Sequence, residues 1–105
     1  MDKEIFKLIT DYCEEKGFSA PVDDMDAFGY LLESSTIYSE NKDEHRWYVD
    51  RFNVSEMGGN LIGFYDYYMT GDNSASDMGL DYNPSSACFV EKKEVLVTKY
   101  NKIIK

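Results

Sequence analysis

The fold is decided by residues 46–70, which read RWYVDRFNVSEMGGNLIGFYDYYMT. This stretch is rich in aromatic and β-branched residues, which favour strands. The pair Gly58-Gly59 in its middle is typical of a tight hairpin turn. The sequence therefore predicts two antiparallel strands, Arg46–Val54 and Asn60–Thr70.

The residues before this stretch have the periodicity of helices. In residues 2–16, apolar side chains recur at the i, i+3, i+4 spacing of one helical face. Asp2 and Gly17 are suited to cap this helix. A second helix, about residues 24–35, follows Asp23 or Asp24, and Gly29 inside it costs about 1 kcal/mol relative to alanine. The two helices together supply the predicted core residues: Ile5, Leu8, Ile9, Phe28, Leu31 and Leu32.

The remaining segments complete a sheet. Residues 38–45 read as a polar loop, a third strand is expected at Ala87–Glu91, and a fourth at Glu94–Tyr100. Helices followed by antiparallel strands indicate a two-layer α+β domain. We expect a single domain, residues 1–105, with two N-terminal helices (about 1–36) packed on one face of a three- to four-stranded antiparallel sheet (about 46–101).

The charge is strongly negative and uneven. The formal net charge is −9, yet residues 83–105 carry five lysines and only two acids. Such a surface repels nucleic acid and anionic membranes and attracts basic protein surfaces, although solubility alone also explains it. The sequence has no apolar run long enough for a signal peptide or a membrane span. These features predict a cytoplasmic protein that binds neither nucleic acid directly nor membranes.

No residue pattern points to catalysis or to a cofactor. The single histidine, His45, lies in a charged, exposed stretch without a nucleophile. Cys13 and Cys88 fit no metal spacing and are expected to be buried, reduced thiols. The loop from Asp72 resembles a calcium loop but has Asp77 where glycine is required, so the question of a weakly bound ion stays open. We therefore predict no enzyme, no metal site and no cofactor.

The aromatic residues indicate an interface. The chain has nine tyrosines and one tryptophan, and side chains alternate along a strand, so aromatic rings must lie on both faces of the sheet. One set forms the core, and the other is either partly exposed or covered by the loop at residues 71–86, by a partner or by a second copy. A partner is one expectation because Tyr and Trp are enriched at interfaces. The candidate partner-binding residues are Asp23, Asp24 and Asp26, then Asp43 and Glu44, then Asp72 and Asp77, with Trp47, Tyr65 and Tyr67 as aromatic anchors.

Several segments in the second half of the chain form a recognisable pattern: Trp47-Tyr48, Leu61-Ile62-Gly63-Phe64, Thr70-Gly71-Asp72-Asn73-Ser74, Asp81-Tyr82 and Glu94-Val95-Leu96-Val97-Thr98-Lys99-Tyr100. This pattern resembles small acidic accessory proteins of bacteriophages and prophages. Some proteins of that type are anti-CRISPR proteins, which bind and block a CRISPR effector. The resemblance implies a binding protein and brings no catalytic residues with it.

Together these observations favour a phage-encoded inhibitor acting in the host cytoplasm. It would block a basic, nucleic-acid-handling host protein, such as an RNA-guided CRISPR nuclease, by acidic contacts that partly mimic DNA. The alternative is a small structural or assembly protein that forms a homodimer through its aromatic sheet face. The two differ in salt dependence, because charge-driven binding weakens as salt rises.

Overall fold

The computed structural model describes residues 1–72, 74–75, 77–93 and 103. Two helices, α1 (Lys3–Lys16) and α2 (Asp24–Glu33), precede a sheet of four strands. The strands are β1 (Thr36–Glu44), β2 (Tyr48–Met57), β3 (Asn60–Met69) and β4 (Cys88–Phe89), with a 3-10 turn at Pro84–Ser86 before β4. The strands are antiparallel in the order β1-β2-β3-β4. The predicted α+β fold with N-terminal helices is confirmed.

Both helices begin at the aspartates that the sequence places there. The Asp2 carboxylate accepts hydrogen bonds from the backbone N–H groups of Glu4 and Ile5, at 2.7 and 3.3 Å. α1 ends at Lys16 and is capped by Gly17, whose φ of 77° is the left-handed conformation that favours glycine. α2 ends at Glu33, two residues earlier than predicted, because the hydroxyl of Ser34 donates to the Leu31 carbonyl and the backbone turns extended.

The core lies between the two helices and the part of the sheet near the β2–β3 turn, which contributes Met57, Ile62 and Phe64. Phe28 of α2 meets Phe64 of β3 edge to face, with ring centroids 5.7 Å apart. Of the six predicted core residues, Leu8 and Leu32 are only partly buried and the other four are fully buried. The buried cluster comprises Ile5, Ile9, Cys13, Ala27, Phe28, Leu31, Met57, Ile62, Phe64 and Ala87.

The β2–β3 hairpin is the longest regular pairing in the sheet. Its register runs without interruption from Tyr48 opposite Met69 to Met57 opposite Asn60. Gly58 and Gly59 close it with φ values of 55° and 80°, the positive pair that a type I′ turn requires. The predicted hairpin is therefore confirmed, although β2 starts two residues later and ends three residues later than expected.

The predicted polar loop at residues 38–45 is wrong for residues 38–44, which belong to β1; only His45 lies outside a strand. All nine residues of β1 are exposed, so the strand has no buried face and no apolar alternation from which to predict it. It is held by backbone pairing to β2, with register shifts between Thr36 and Tyr38 and between Asn41 and Asp43. The sheet therefore begins at Thr36 and not near residue 46.

The C-terminal part of the sheet is shorter than predicted. The expected third strand, Ala87–Glu91, is reduced to the two residues Cys88 and Phe89, which pair with Gly63 and Ile62. Cys88 is exposed, which corrects the expectation that both thiols are buried, because its strand lies at the edge of the sheet. The predicted fourth strand, Glu94–Tyr100, lies outside the described residues.

Candidate protein-binding face

One face of the sheet carries the helices, and the other is left uncovered by them. Phe64 and Ile62 point into the core, so the alternating residues of β3 point away from the helices. We call the side opposite the helices the open face. The register places six central side chains on it: Tyr38, Asp50, Phe52, Val54, Tyr65 and Tyr67.

An acidic cavity of about 220 Å³ lies on the open face, toward the turn at residues 45–47 that connects β1 and β2. Asp43 of β1 and Asp50 of β2 are register partners, and Tyr67 of β3 is the register partner of Asp50. The cavity is therefore built on one row of side chains that crosses three strands. Its lining residues are Lys42, Asp43, Asp50, Tyr65, Asp66, Tyr67, Tyr82 and Asn83.

The three aspartates that line the acidic cavity differ in the hydrogen-bond and ion-pair partners of their carboxylates. Asp66 lies between Tyr65 and Tyr67 in β3, so its carboxylate is on the opposite face of the strand, where it accepts two hydrogen bonds from Arg51, from Nε at 3.0 Å and from Nη2 at 2.9 Å. Asp50 Oδ2 lies 3.1 Å from His45 Nε2. Asp43 has no hydrogen-bond or ion-pair partner within the described part of the chain. Asp43 therefore keeps its full capacity to bind a cation.

Tyrosine rings form the wall of the acidic cavity. Tyr67 packs edge to face on Tyr48 at 5.7 Å and against Tyr82 at 5.6 Å. The Tyr67 hydroxyl donates to the Asp81 carbonyl at 2.9 Å. Burial, followed by the negative charge of Asp50, raises the pKa of Tyr67, so the hydroxyl remains a protonated donor at neutral pH. These contacts fix the rings and provide faces that attract cations.

An apolar groove of about 630 Å³ lies next to the acidic cavity on the same face. Its centre is formed by Phe52 and Val54 of β2 and by Leu61 of β3. Phe52 lies across Gly63, where an added Cβ would stand only 2.5 Å from Cζ of the ring. The lining residues are Ile37, Tyr38, Phe52, Val54, Leu61 and Val90, with Glu91, Lys92 and Lys93 at one rim.

A ridge of polar and aromatic contacts separates the cavity from the groove. Phe52 and Tyr65 are register partners, with ring centroids 5.1 Å apart, and Lys42 Nζ lies 6.0 Å from the Phe52 centroid. Glu40 accepts hydrogen bonds from the Tyr38 hydroxyl at 2.9 Å and from Lys42 Nζ at 3.1 Å. The hydrogen bond from Tyr38, followed by that from Lys42, lowers the pKa of Glu40. The Lys42 charge is therefore offset by Glu40, so it only weakly opposes the negative potential of Asp43.

The structure brings only some of the predicted binding residues together. Asp43, Tyr65 and Tyr67 line the acidic cavity. Trp47 lies at the turn between β1 and β2 with Asp72, in a separate shallow depression, and its carbonyl accepts hydrogen bonds from the backbone of Thr70 and Gly71. The last β1 residue, Glu44, is exposed and lines neither the cavity nor the groove.

The acids at the start of α2 serve the fold. Asp23 accepts from the backbone of Asp26 at 2.8 Å, and Asp26 accepts from the backbone of Val22 at 3.0 Å. Asp24 pairs with the N-terminal ammonium of Met1 at 2.9 Å. Asp77 similarly caps its own turn through the backbone N–H of Ser74. These acids line neither the acidic cavity nor the apolar groove.

Several residues that line the cavity or the groove were not among the predicted binding residues, among them Asp50, Phe52, Tyr38 and Lys42. Alternation places Asp50 and Phe52 on one face of β2, but only the register of β2 with β3 assigns them to the face of Tyr65 and Tyr67. The sequence does not place Tyr38 and Lys42, because their strand reads as a polar loop.

Comparisons with known proteins add no relative. No protein-family model, curated protein or solved structure matches the chain. No helix in the described ranges is both long and apolar enough to cross a membrane. In the same ranges, no three His, Cys, Asp or Glu side chains are grouped to hold a metal ion.

Proposed function

We propose that this protein is a binding protein that attaches to a basic surface of another protein through its open face. The observation that carries the proposal is the acidic cavity, in which the uncompensated Asp43 faces the same space as fixed tyrosine rings. A lysine or arginine side chain gains from both features, because carboxylates pair with it and aromatic faces attract it.

The proposed partner is a host protein that handles nucleic acid, and the RNA-guided nuclease of a CRISPR system is the class that the sequence resemblance suggests. Such nucleases hold nucleic acid in positively charged channels and read a short duplex motif with arginines. A protein of net charge −9 that presents carboxylates competes for those groups. Occupying them blocks the nuclease without any chemical reaction.

A panel of purified CRISPR nucleases, each loaded with guide RNA, tests this proposal. Wild-type protein should inhibit DNA cleavage by at least one of them, and Asp43→Lys should weaken that inhibition about tenfold or more, since it places a like charge against the partner. Asp11→Lys is the matched control, because Asp11 is an exposed acid on α1, away from the sheet. If the two variants inhibit equally, the acidic cavity is not the contact site.

A second candidate function is self-assembly through the same face. It is favoured by exposed apolar side chains on β1 and β3, where Ile37, Tyr38 and Tyr65 are 57%, 51% and 47% exposed. Sedimentation equilibrium at two salt concentrations separates the candidates. A dimer formed through these rings should persist at high salt and dissociate in Tyr65→Ser, whereas a monomer at all concentrations contradicts self-assembly.

A further inference from the structure

The acidic cavity and the apolar groove adjoin on one continuous face. They share the ridge formed by Phe52, Tyr65 and Lys42, which borders the cavity on one side and the groove on the other. Both depressions are therefore accessible to one ligand that crosses the ridge.

We propose that the open face is a two-part site that takes an extended segment of the basic partner, with one basic side chain in the acidic cavity and one apolar side chain in the apolar groove. This inference rests on the proposed function, because the basic side chain belongs to the same partner. It adds the second contact and the spacing between the two.

The strand register sets that spacing. The cavity is centred on the row of Asp50 and the groove on the row of Val54, four residues further along β2. Four residues of a strand span about 13 Å. In an extended ligand, residues i and i+4 are the same distance apart and point to the same side. The ligand therefore carries its basic and apolar residues at i and i+4, in either chain direction.

Charge determines which end of the ligand goes where. Lys92 and Lys93 follow Val90, whose N–H donates to the Leu61 carbonyl at 3.0 Å, so they lie on the Leu61 side of the groove. That rim carries both signs of charge, Glu91 together with Lys92 and Lys93, whereas Asp43 and Asp50 attract a basic side chain to the opposite end. The potential along the face therefore orients the segment.

The groove is suited to one apolar side chain. Val54, 8% exposed, forms a buried floor, while Tyr38 and Ile37 are about half exposed and stand at the side of the groove. Gly63 contributes no side chain, so the Phe52 ring and Val90 occupy the space where a Cβ would stand, 2.5 Å from Cζ of Phe52 and 2.9 Å from Cγ1 of Val90. Burial of a leucine side chain there would contribute affinity in proportion to the area removed from water.

Two synthetic peptides test the spacing. The first, acetyl-Gly-Arg-Ser-Gly-Ser-Leu-Gly-amide, has arginine and leucine at i and i+4; the second, acetyl-Gly-Arg-Ser-Gly-Leu-Ser-Gly-amide, has the same composition with i and i+3. NMR titration of the isotope-labelled protein should show the first binding about tenfold more tightly. Its shifts should map to both the Asp50 row and the Val54 row. Equal affinity for the two peptides would overturn the two-part site.

Protein variants separate the two parts. Asp43→Asn and Ile37→Ser should each lower the affinity for the first peptide several-fold, while the controls Asp11→Asn and Val22→Ser should not change it. Val22 is a matched control, because it is 85% exposed and lines neither depression. If Asp43→Asn lowers the affinity for the first peptide and Ile37→Ser does not, the two-part site is overturned but the proposed function stands. If neither peptide shifts the Asp50 row, both proposals fail, and if wild-type protein is a dimer that the first peptide does not dissociate, a second copy occupies the face instead.

Discussion

The Phe52 ring lies against Gly63 on the open face, in the space that a side chain at position 63 would need. A Cβ at Gly63 would stand 2.5 Å from Cζ of Phe52 and 2.9 Å from Cγ1 of Val90. Gly63→Ala therefore forces the Phe52 ring off its position and strains the β3–β4 edge. We expect the free energy of unfolding to fall by about 1–3 kcal/mol, the usual cost of overpacking, measured by urea denaturation.

Gly29 provides the matched control for that substitution. It lies in α2, and a Cβ added there would meet nothing within 4 Å, so the close approach that a helical glycine often permits does not occur at this position. Gly29→Ala should raise the free energy of unfolding by about 0.5–1 kcal/mol, because alanine is the better helix former. A destabilised Gly29→Ala protein would contradict the packing of α2.

Leu31 tests the packing of α2 on the sheet. Its side chain is fully buried, whereas Met25 on the same helix is 52% exposed. Leu31→Ala should cost about 2–5 kcal/mol through the lost contacts and the cavity that remains. Met25→Ala should change stability by less than about 0.5 kcal/mol, as surface substitutions usually do. Chemical denaturation measures both, and a small effect at Leu31 would mean that α2 does not pack as described.

The carboxylate of Glu40 should titrate below the ordinary range of a glutamate. The hydrogen bonds from Tyr38 and Lys42 favour the charged form and so lower the pKa of Glu40. Because the folded-state pKa is the lower one, its stabilising contribution is present above the ordinary glutamate pKa of about 4.3 and is lost as the pH falls through the folded-state value. Carboxyl carbon NMR should place the pKa of Glu40 higher in Tyr38→Phe than in wild type. Tyr65→Phe, which removes no hydrogen bond to Glu40, should leave it unchanged.

The two cysteines should differ in reactivity. Cys13 is fully buried in the core, and burial raises the pKa of its thiol, whereas Cys88 is exposed on β4. Since the thiolate is the reactive form, a thiol reagent should label one cysteine in the native protein and two in denaturant. Cys88→Ser should abolish the native-state labelling. Labelling that persists in Cys88→Ser would show that α1 opens readily.

The elements that bury apolar surface could be predicted from the sequence. The strand that buries none, β1, could not. The helices and the β2–β3 hairpin are marked by apolar periodicity, capping aspartates and the Gly58-Gly59 turn. β1 buries no face, so nothing in its composition distinguishes it from a loop, and only its pairing with β2 reveals it. Edge strands that are charged and irregular in this way resist pairing with other chains, which is the same property that hides them in a sequence.

The candidate site was predictable where it depends on β3 and not where it depends on neighbouring strands. Tyr65 and Tyr67 follow from alternation within β3. Their association with Asp43 and Asp50 depends on strand register, which no local pattern encodes. The acids at the start of α2 stay predicted partner contacts. Their hydrogen bonds show in addition that Asp23 caps the helix and that Asp26 accepts from Val22, a role that the sequence alone does not separate from an interface role.

Asp23 and Asp43 provide the test that separates capping acids from binding acids. Asp23 accepts the backbone hydrogen bond that starts α2, so Asp23→Ala should cost about 1 kcal/mol of stability. It should leave affinity for an arginine-containing peptide unchanged. Asp43 makes no such bond, so Asp43→Asn should change the free energy of unfolding by less than about 0.5 kcal/mol and still lower the affinity for the peptide. Urea denaturation and NMR titration of both variants measure the two effects. The opposite pattern, with the peptide weakened only by Asp23→Ala, would move the binding surface to the start of α2.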